Sequence, residues 1–396
     1  MNTIQIPTIQ LSNNPIGFAL DIYSEIISAL ESEERVMLAT IISTSGSTPA
    51  SAFSKMLIKN EGNVSVGTVG GGCLEGDVLV AAKKLYHSEK AEILSFHLNE
   101  DEFVQGLICG GTVDILIEPI SAKHHELFEK LKASRDQGED AVILTQIGSG
   151  GKIIWKNMTR AESVFKDDPR EDEVGRNMKM ERVRENMRTV LRRNQTQRHK
   201  NADGEIILEP VMGSPSLVVF GGGHVSKYIC ECSSRAGFRV TIVDDRKEYA
   251  NPQRFPEAVC TIAGDFLEVF AGLTVKPSTY IVIVTRGHRS DEEILEQAVK
   301  TPAKYIGMIG SKRKVLTTYE HLLERGVSIQ ALKRVHAPMG IEIGATTAEE
   351  IGVSVVSQLI AVRRSERSPY VDKSDAAREL FVKLEKMIEN TRQNLQ

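Results

Sequence analysis

VVFGGGHVSKYICECSSRAGFRVTIVDDR, residues 218–246, is the part of the chain from which the fold class follows most directly. A short apolar strand runs into three glycines, a helix follows, and a second apolar strand ends at Asp244. In a dinucleotide-binding turn, Gly221 would permit the tight turn and Gly223 would let the backbone approach a phosphate at the helix N-terminus. Asp244 follows about 20 residues later, where an acidic side chain accepts from ribose hydroxyls. Because Ser226 replaces the third glycine of the pattern, a Rossmann-like domain without a nucleotide remains the alternative.

Strands continue to alternate with helices on the C-terminal side of this stretch, which predicts a doubly wound parallel sheet over residues 211–365. Three loops fall at the carboxyl ends of its strands, the edge where ligands bind in such sheets. They contain His288, His336 and the run Ser311-Lys312-Arg313, which opens a helix and therefore suits a phosphate. Together with His224, the histidines would bind a metal or, as single histidines more often do, hydrogen-bond a ligand or cap a strand.

Two glycine-rich turns with cysteines mark the first 120 residues, whose pattern predicts an α+β domain. Gly71 and Gly72 precede Cys73 in the first turn of a predicted helix, a position that lowers a thiol pKa. A second turn, Cys109-Gly110-Gly111, precedes an apolar strand. The two thiols suggest a site for a soft ligand or for sulfur transfer. The alternative is that both are small buried residues.

Residues 121–210 form a middle region whose amino-acid composition changes over 162–205, where 21 of 44 residues are charged. This insertion is interpreted as a solvated surface helix or a mobile insertion, and an arm that binds RNA or a protein partner is the alternative. The tail, 366–396, is charged and predicted to be helical.

A net charge of −4 argues against a nucleic-acid partner, and the apolar runs are too short for a membrane helix. With five cysteines and no CxxC pair, the expectation is a cytoplasmic protein with reduced thiols.

Short motifs along most of the chain together resemble the XdhC/CoxI family, accessory proteins of molybdenum hydroxylases such as xanthine dehydrogenase. In chain order they are GSTP at 46–49, GTVGGGCLE at 67–75, CGG at 109–111, FGGGHV at 220–225, VDDR at 243–246, RFP at 254–256, TRGH at 285–288, YIGMIGSKRK at 305–314 and HAPMG at 336–340. The sequence departs from the family at Ala50 and Ala348, where arginine and proline are usual, and at Ser357, near which an acidic residue is usual. This pattern suggests a divergent member.

The resemblance implies a factor that binds molybdenum cofactor (molybdopterin), assists its sulfuration with a cysteine desulfurase, and delivers it to a molybdenum hydroxylase apoenzyme. Members are typically cytoplasmic and often homodimeric. Cys109 would then touch molybdenum or carry sulfur, with Cys73 second. The remaining residues expected to bind the cofactor or a nucleotide are Gly71, Gly72, Glu75, Gly110, Gly111, Gly221, Gly223, His224, Asp244, Arg246, His288, Ser311, Lys312, Arg313 and His336.

Two other functions stay open on sequence grounds. An NAD(P)-dependent oxidoreductase would use the Rossmann domain, with His288 or His336 as proton donor. Nothing in the N-terminal region calls for that chemistry, so a cofactor-binding chaperone is favoured over a dehydrogenase. A scaffold in which both ligand sites have decayed is the third hypothesis.

Overall fold

The computed structural model describes residues 8–11, 21–32, 35–46, 52–97, 111–161, 180–201, 204–364 and 382. The chain divides into two compact units. The N-terminal unit is Leu20–Ser214, and the Rossmann unit combines Met1–Ala19 with Pro215–Gln396. The middle region 121–210 therefore shares a unit with most of the first 120 residues. Of the helices in the described ranges, none is long and apolar enough to cross a membrane.

The described strands of the Rossmann unit form one seven-stranded sheet with helices between them. The strands are β1 Thr8–Leu11, β11 Ser216–Phe220, β12 Arg239–Asp244, β13 Cys260–Ala263, β14 Tyr280–Ile283, β15 Tyr305–Met308 and β16 Val335–His336. The helices are α5 His224–Arg235, α6 Phe266–Gly272, α7 His288–Ala298, α8 Lys312–Glu324, α9 Ile329–Leu332 and α10 Ala348–Arg364.

The strand order is β1-β13-β12-β11-β14-β15-β16. All neighbours pair in parallel except β1, which pairs antiparallel with β13. Without β1 this is the strand order of the doubly wound dinucleotide fold. Successive strands are added toward one edge of the sheet from β11 to β13 and toward the other edge from β14 onward. Apolar clusters cover both faces of the sheet, as a parallel sheet requires. The predicted fold class, a Rossmann-like sheet plus an N-terminal α+β domain, is confirmed.

The described strands of the N-terminal unit form two antiparallel sheets, ordered β4-β3-β2-β6-β5 and β8-β7-β10-β9. Its strands are β2 Val36–Ser45, β3 Lys55–Lys59, β4 Val64–Gly67, β5 Glu92–His97, β6 Thr112–Ile120, β7 Ala141–Gly148, β8 Ile153–Arg160, β9 Gln197–Asn201 and β10 Gly204–Val211. Its helices are α1 Ile22–Glu31, α2 Gly72–Leu85, α3 His125–Asp136 and α4 Met180–Arg193, with 3₁₀ turns at Asn60–Gly62 and Ala122–His124.

The central strands β3, β2 and β6 of the five-stranded sheet are buried on both faces. Alternate residues of β2 and β6, such as Ile41 and Ile115, pack on α2, while Ile42 and Leu116 on the opposite face pack on residues of the four-stranded sheet. This alternation follows from the two-residue period of a strand. Three ion pairs also join the two sheets: Lys55 with Glu209, Lys156 with Glu118, and Arg198 with Asp114.

Part of the charged insertion 162–205 belongs to this framework. Helix α4 packs through Met187, Val190 and Leu191 on residues of β7 and β10, and β9 pairs antiparallel with β10. The helical spacing of apolar residues in this segment thus reflects a packed helix. Residues 162–179 and the tail 366–396, except residue 382, lie outside the described residues.

Candidate functional site

One glycine from each of three sequence motifs in the N-terminal unit lies at the same end of the five-stranded sheet. In the strand register, Ser45 at the end of β2 is opposite Thr112, the first residue of β6. On the other side of β2, Thr40 is opposite Lys55, and the neighbouring Met56 is opposite Gly67, the last residue of β4. Gly46, Gly67 and Gly111 therefore lie at one end of the sheet, here called the glycine end.

The turn from β4 into α2 places Cys73 as the second residue of the helix. Gly71, the N-cap residue, has a φ of +76°, which only glycine adopts readily. Glu75 closes this turn: its Oε1 accepts from Thr68 Oγ1 at 2.5 Å and from the backbone N–H of Gly71 at 3.1 Å. One carboxylate oxygen of Glu75 thus holds the turn. The backbone of Cys73 lies in the first turn of α2, and its side chain lies outside the described part of the structure.

The second glycine–cysteine turn is only partly described. Gly111 directly precedes β6 at the glycine end, whereas Cys109 and Gly110 lie outside the described residues. Ala50 and most of the GSTP motif lie outside them as well. The role expected for Cys109, as molybdenum ligand or sulfur carrier, stays a prediction.

In the Rossmann unit, the residues predicted from sequence gather where the parallel strands end, here called the carboxyl edge. His224 and His288 are the first residues of α5 and α7, and both are exposed. Ser311 is the N-cap of α8, and its hydroxyl accepts from the N–H of Lys314 at 3.2 Å. Lys312 and Arg313 are exposed in the first turn of that helix. Three helix N-termini therefore point their amides toward one edge of the sheet.

His336 differs from the other two histidines because its ring is stacked. It lies at the end of β16 with its ring 4.6 Å from the Tyr305 ring at an angle of 18°. The loop that follows is held by buried Gln358, which accepts from the N–H of Gly340 at 2.9 Å and from the Tyr305 hydroxyl at 2.6 Å. Within the described ranges, no three His, Cys, Asp or Glu side chains come together as a metal site.

Asp244 is built into the glycine turn. It is 2% exposed, and its Oδ2 accepts from the N–H of Gly222 at 2.7 Å. Its Oδ1 accepts from the backbone N–H and from Nε of Arg246, at 3.0 and 2.9 Å. This hydrogen bonding to Asp244 raises the pKa of Arg246. The predicted ribose acceptor therefore already binds its own turn.

Two residues that the sequence reasoning missed, Tyr249 and Arg254, complete this corner. The Arg246 guanidinium lies 3.5 Å from the centre of the Tyr249 ring, and the Arg254 guanidinium lies 5.0 Å from the same centre. Nε of Arg254 donates to the carbonyl of Gly222 at 2.9 Å. The RFP motif was a signal for Arg254, but the ring between the arginines could be seen only in the fold.

A buried carboxylate joins two of the loops at the carboxyl edge. Asp291 is fully buried, and its Oδ1 accepts from the hydroxyl of Thr285 at 2.6 Å and from its N–H at 3.2 Å. Its other oxygen accepts from Nζ of Lys314 in α8. The loop after β14 is thereby tied to the helix that follows β15.

The thiols of the Rossmann unit are poor nucleophiles. Burial raises the pKa of Cys230, and it also raises the pKa of Cys260. Both therefore remain protonated thiols near neutral pH. Their geometry agrees with their interpretation as packing residues.

A doubly wound sheet with a glycine turn and basic loops at its carboxyl edge defines a Rossmann-type protein suited to anionic ligands. Two family models match the chain: the XdhC Rossmann domain over residues 217–359, and the XdhC and CoxI family over residues 29–97. These segments come from both units and together span more than half of the chain. The chain belongs to the XdhC and CoxI family.

Individual relatives agree with this assignment. A probable xanthine dehydrogenase subunit from Bacillus subtilis is 24% identical over 340 residues, which cover 85% of this chain and 95% of that protein. Protein YqeB of Escherichia coli is 32% identical over 152 residues, 38% of this chain, and the match spans only 28% of that relative. A crystal structure of a protein described as a xanthine dehydrogenase from Bacillus halodurans superposes with a TM-score of 0.70 at 24% identity. The superposition covers 89% of this chain and 99% of the other chain, and it supports the fold described above.

Proposed function

We propose that this protein is an accessory factor that matures a molybdenum hydroxylase such as xanthine dehydrogenase. In this proposal it binds molybdenum cofactor and assists its sulfuration and insertion into the apoenzyme. The observation that carries the proposal is membership of the XdhC and CoxI family in both units. Alignment with nearly the whole of a probable xanthine dehydrogenase subunit adds support. A cysteine desulfurase would supply the sulfur, and a homodimer is the expected assembly.

The carboxyl edge of the Rossmann unit fits the phosphate end of such a cofactor. A Cβ added at Gly223 would meet nothing within 4 Å, so the backbone at the start of α5 is open to a ligand. The first-turn amides of that helix follow a glycine N-cap, which has no side chain to accept from them. Arg246, Lys312 and Arg313 add positive charge nearby, and guanidinium groups match phosphate geometry well.

The glycine end of the N-terminal unit, taken by itself, has the chemistry that a soft metal centre prefers. Molybdenum held by a dithiolene is a soft centre, and thiolates are the protein ligands that such centres prefer. Cys73 is the second residue of α2, a position at which a helix N-terminus would favour a thiolate, and Gly111, two residues after Cys109 in the chain, lies at the same end of the sheet. The bound group would supply the sulfido-bearing molybdenum for the hydroxylase. The chain itself would supply the thiols, the open glycine backbone and the phosphate contacts.

The test is co-expression in a host that makes molybdenum cofactor. Bound molybdenum and the fluorescence of oxidised pterin are measured per mole of purified protein. The variants are Cys109→Ser, Cys73→Ser and, as the matched control, Cys232→Ser in the middle of α5. We expect near-stoichiometric pterin for the wild type and the control, with a clear loss of pterin or molybdenum for Cys109→Ser.

Two outcomes would oppose the proposal. Protein that carries neither pterin nor molybdenum contradicts cofactor binding, and nicotinamide released from it would favour the oxidoreductase, which the Rossmann strand order also permits. If Cys109→Ser retains the cofactor and activates an apo-hydroxylase as well as the wild type, the thiol role is wrong while the accessory role stands.

A further inference from the structure

The end of β12 is the position that reads the ribose in dinucleotide folds of this strand order. An acidic side chain there normally accepts from two ribose hydroxyls. In this protein the carboxylate of Asp244 accepts from Gly222 and, through both of its oxygens, from Arg246, whose Nη2 lies 3.2 Å from Oδ2. A carboxylate has about four acceptor positions, and these contacts use four. A ribose diol would have to displace bonds that hold the glycine turn together.

Arg246 contacts this buried carboxylate, and further arginines lie beyond it. Asp245 bridges two of them, because its Oδ1 lies 3.4 Å from Nε of Arg246 and its Oδ2 lies 3.2 Å from Nη2 of Arg286. Arg246 is further oriented by the Tyr249 ring, and the Arg254 guanidinium lies 5.0 Å from the centre of that ring. The Asp244 side chain takes two of the five N–H donors of Arg246.

The charges around this corner leave it positive. The cations are Arg246, Arg254 and Arg286, and the anions that contact them are Asp244 and Asp245. A further acid on a neighbouring helix is Glu349 of α10, which accepts a hydrogen bond from Tyr228 and interacts with His224. Glu349 therefore faces the start of α5 rather than the arginines at the end of β12.

We infer that the Rossmann unit selects a ligand with a phosphomonoester at the end of β12, in the place where other dinucleotide folds read a ribose diol. Planar guanidinium groups bind a phosphate dianion through paired hydrogen bonds, and the positions of Arg246 and Arg286 beside one bridging carboxylate suit such a group. The phosphate would belong to the ribose 2′ position of a dinucleotide or to the end of a phosphorylated pterin. The inference builds on the proposed function, because it specifies which ligand the carboxyl edge accepts.

Two pairs of probes that differ by one phosphate test it on the full-length protein at low ionic strength. The first pair is NADPH and NADH, followed by their fluorescence on binding. The second pair is the oxidised pterin phosphate obtained from molybdenum cofactor and the same pterin after phosphatase treatment, followed by fluorescence anisotropy. We expect the phosphorylated member of one pair to bind at least about tenfold more tightly than its partner. The pair that shows the preference identifies the source of the phosphate.

Arg286→Ala is the decisive variant, because its side chain is 64% exposed and its loss leaves the buried network of Asp244 in place. The preference for the phosphorylated probe should fall by roughly tenfold, with the affinity of the unphosphorylated probe unchanged. Arg286→Lys should retain part of the preference. Arg235→Ala, in the last turn of α5 at the opposite edge of the sheet, is the matched control and should change nothing.

Equal affinity for both members of each pair, or no binding of any probe, would overturn the inference. Its failure can be told from failure of the proposed function. If pterin and molybdenum co-purify but show no dependence on Arg286, only the phosphate inference is wrong. If NADPH binds preferentially and no pterin co-purifies, the phosphate inference stands and the cofactor role is wrong.

Discussion

Removal of either partner of the Glu118–Lys156 ion pair should strongly destabilise the N-terminal unit. The two side chains are 1% and 2% exposed, and Nζ of Lys156 lies 2.8 and 3.0 Å from the two oxygens of Glu118. The hydroxyl of Thr145 accepts at 2.9 Å, so all three ammonium donors are used. Glu118 belongs to β6, the strand that starts directly after Gly111. The pair thus anchors the strand that carries the second glycine–cysteine turn.

The size of the effect follows from burial. Breaking a buried pair by removing one charge costs about 3–5 kcal/mol, because the other charge stays buried without its partner. For a unit of this length, about 2–4 °C of melting temperature corresponds to each kcal/mol, so Glu118→Leu and Lys156→Met should each lower it by about 6–20 °C. The double substitution Glu118→Leu/Lys156→Met should cost much less than the sum of the single substitutions.

Tryptophan fluorescence can follow the unfolding of this unit separately from that of the Rossmann unit in urea or on heating. The chain has a single tryptophan, Trp155, and it lies in β8 beside Lys156. Lys130→Met, which removes an exposed i,i+4 pair with Glu126 on α3, is the matched control and should leave the melting temperature nearly unchanged. Single substitutions that cost no more than this control, or that add without coupling in the double variant, would refute the claim that the pair is desolvated.

Three further predictions concern the turns and loops. Gly223→Ala should fold with an unchanged melting temperature but bind phosphorylated probes less tightly in titrations. Gly222→Ala should instead lower the free energy of unfolding by about 1–3 kcal/mol, because its Cβ would lie 2.2 Å from the carbonyl oxygen of Tyr249. Asp291→Asn should lower the calorimetric stability of the Rossmann unit by about 2–4 kcal/mol, and a loss below about 1 kcal/mol would contradict the burial of its bonds. Burial, followed by the charges of two lysines, lowers the pKa of His124 to about 4. Because the unfolded chain binds this proton near pH ~6.5, stability should fall as the pH drops from ~6.5 toward 4, and His124→Gln should flatten that fall in urea titrations.

Much of the Rossmann unit could be predicted because its signals are local. The apolar runs, the glycine turn after β11 and the helix start at Ser311 are each encoded within a few residues. The hairpin of β3 and β4 was predictable for the same reason, since a polar turn separates two strand patterns. The edge strand β1 was not, because its four residues gain strand character only by pairing with β13, about 250 residues away in the chain.

The candidate site shows the same division between local and distant signals. The position of Asp244 at the end of a predicted strand suggested a ribose acceptor, because spacing along the chain reports where a side chain lies and not what already binds it. Its actual partners come from Gly222 and Arg246, and the arginine is oriented by a ring three residues further on. An acid that is saturated by its own turn changes the ligand that the site prefers from a neutral diol to an anion. Sequence spacing therefore placed Asp244 correctly at the end of a parallel strand, while the inference that this corner prefers an anion depends on the hydrogen bonds of the buried carboxylate.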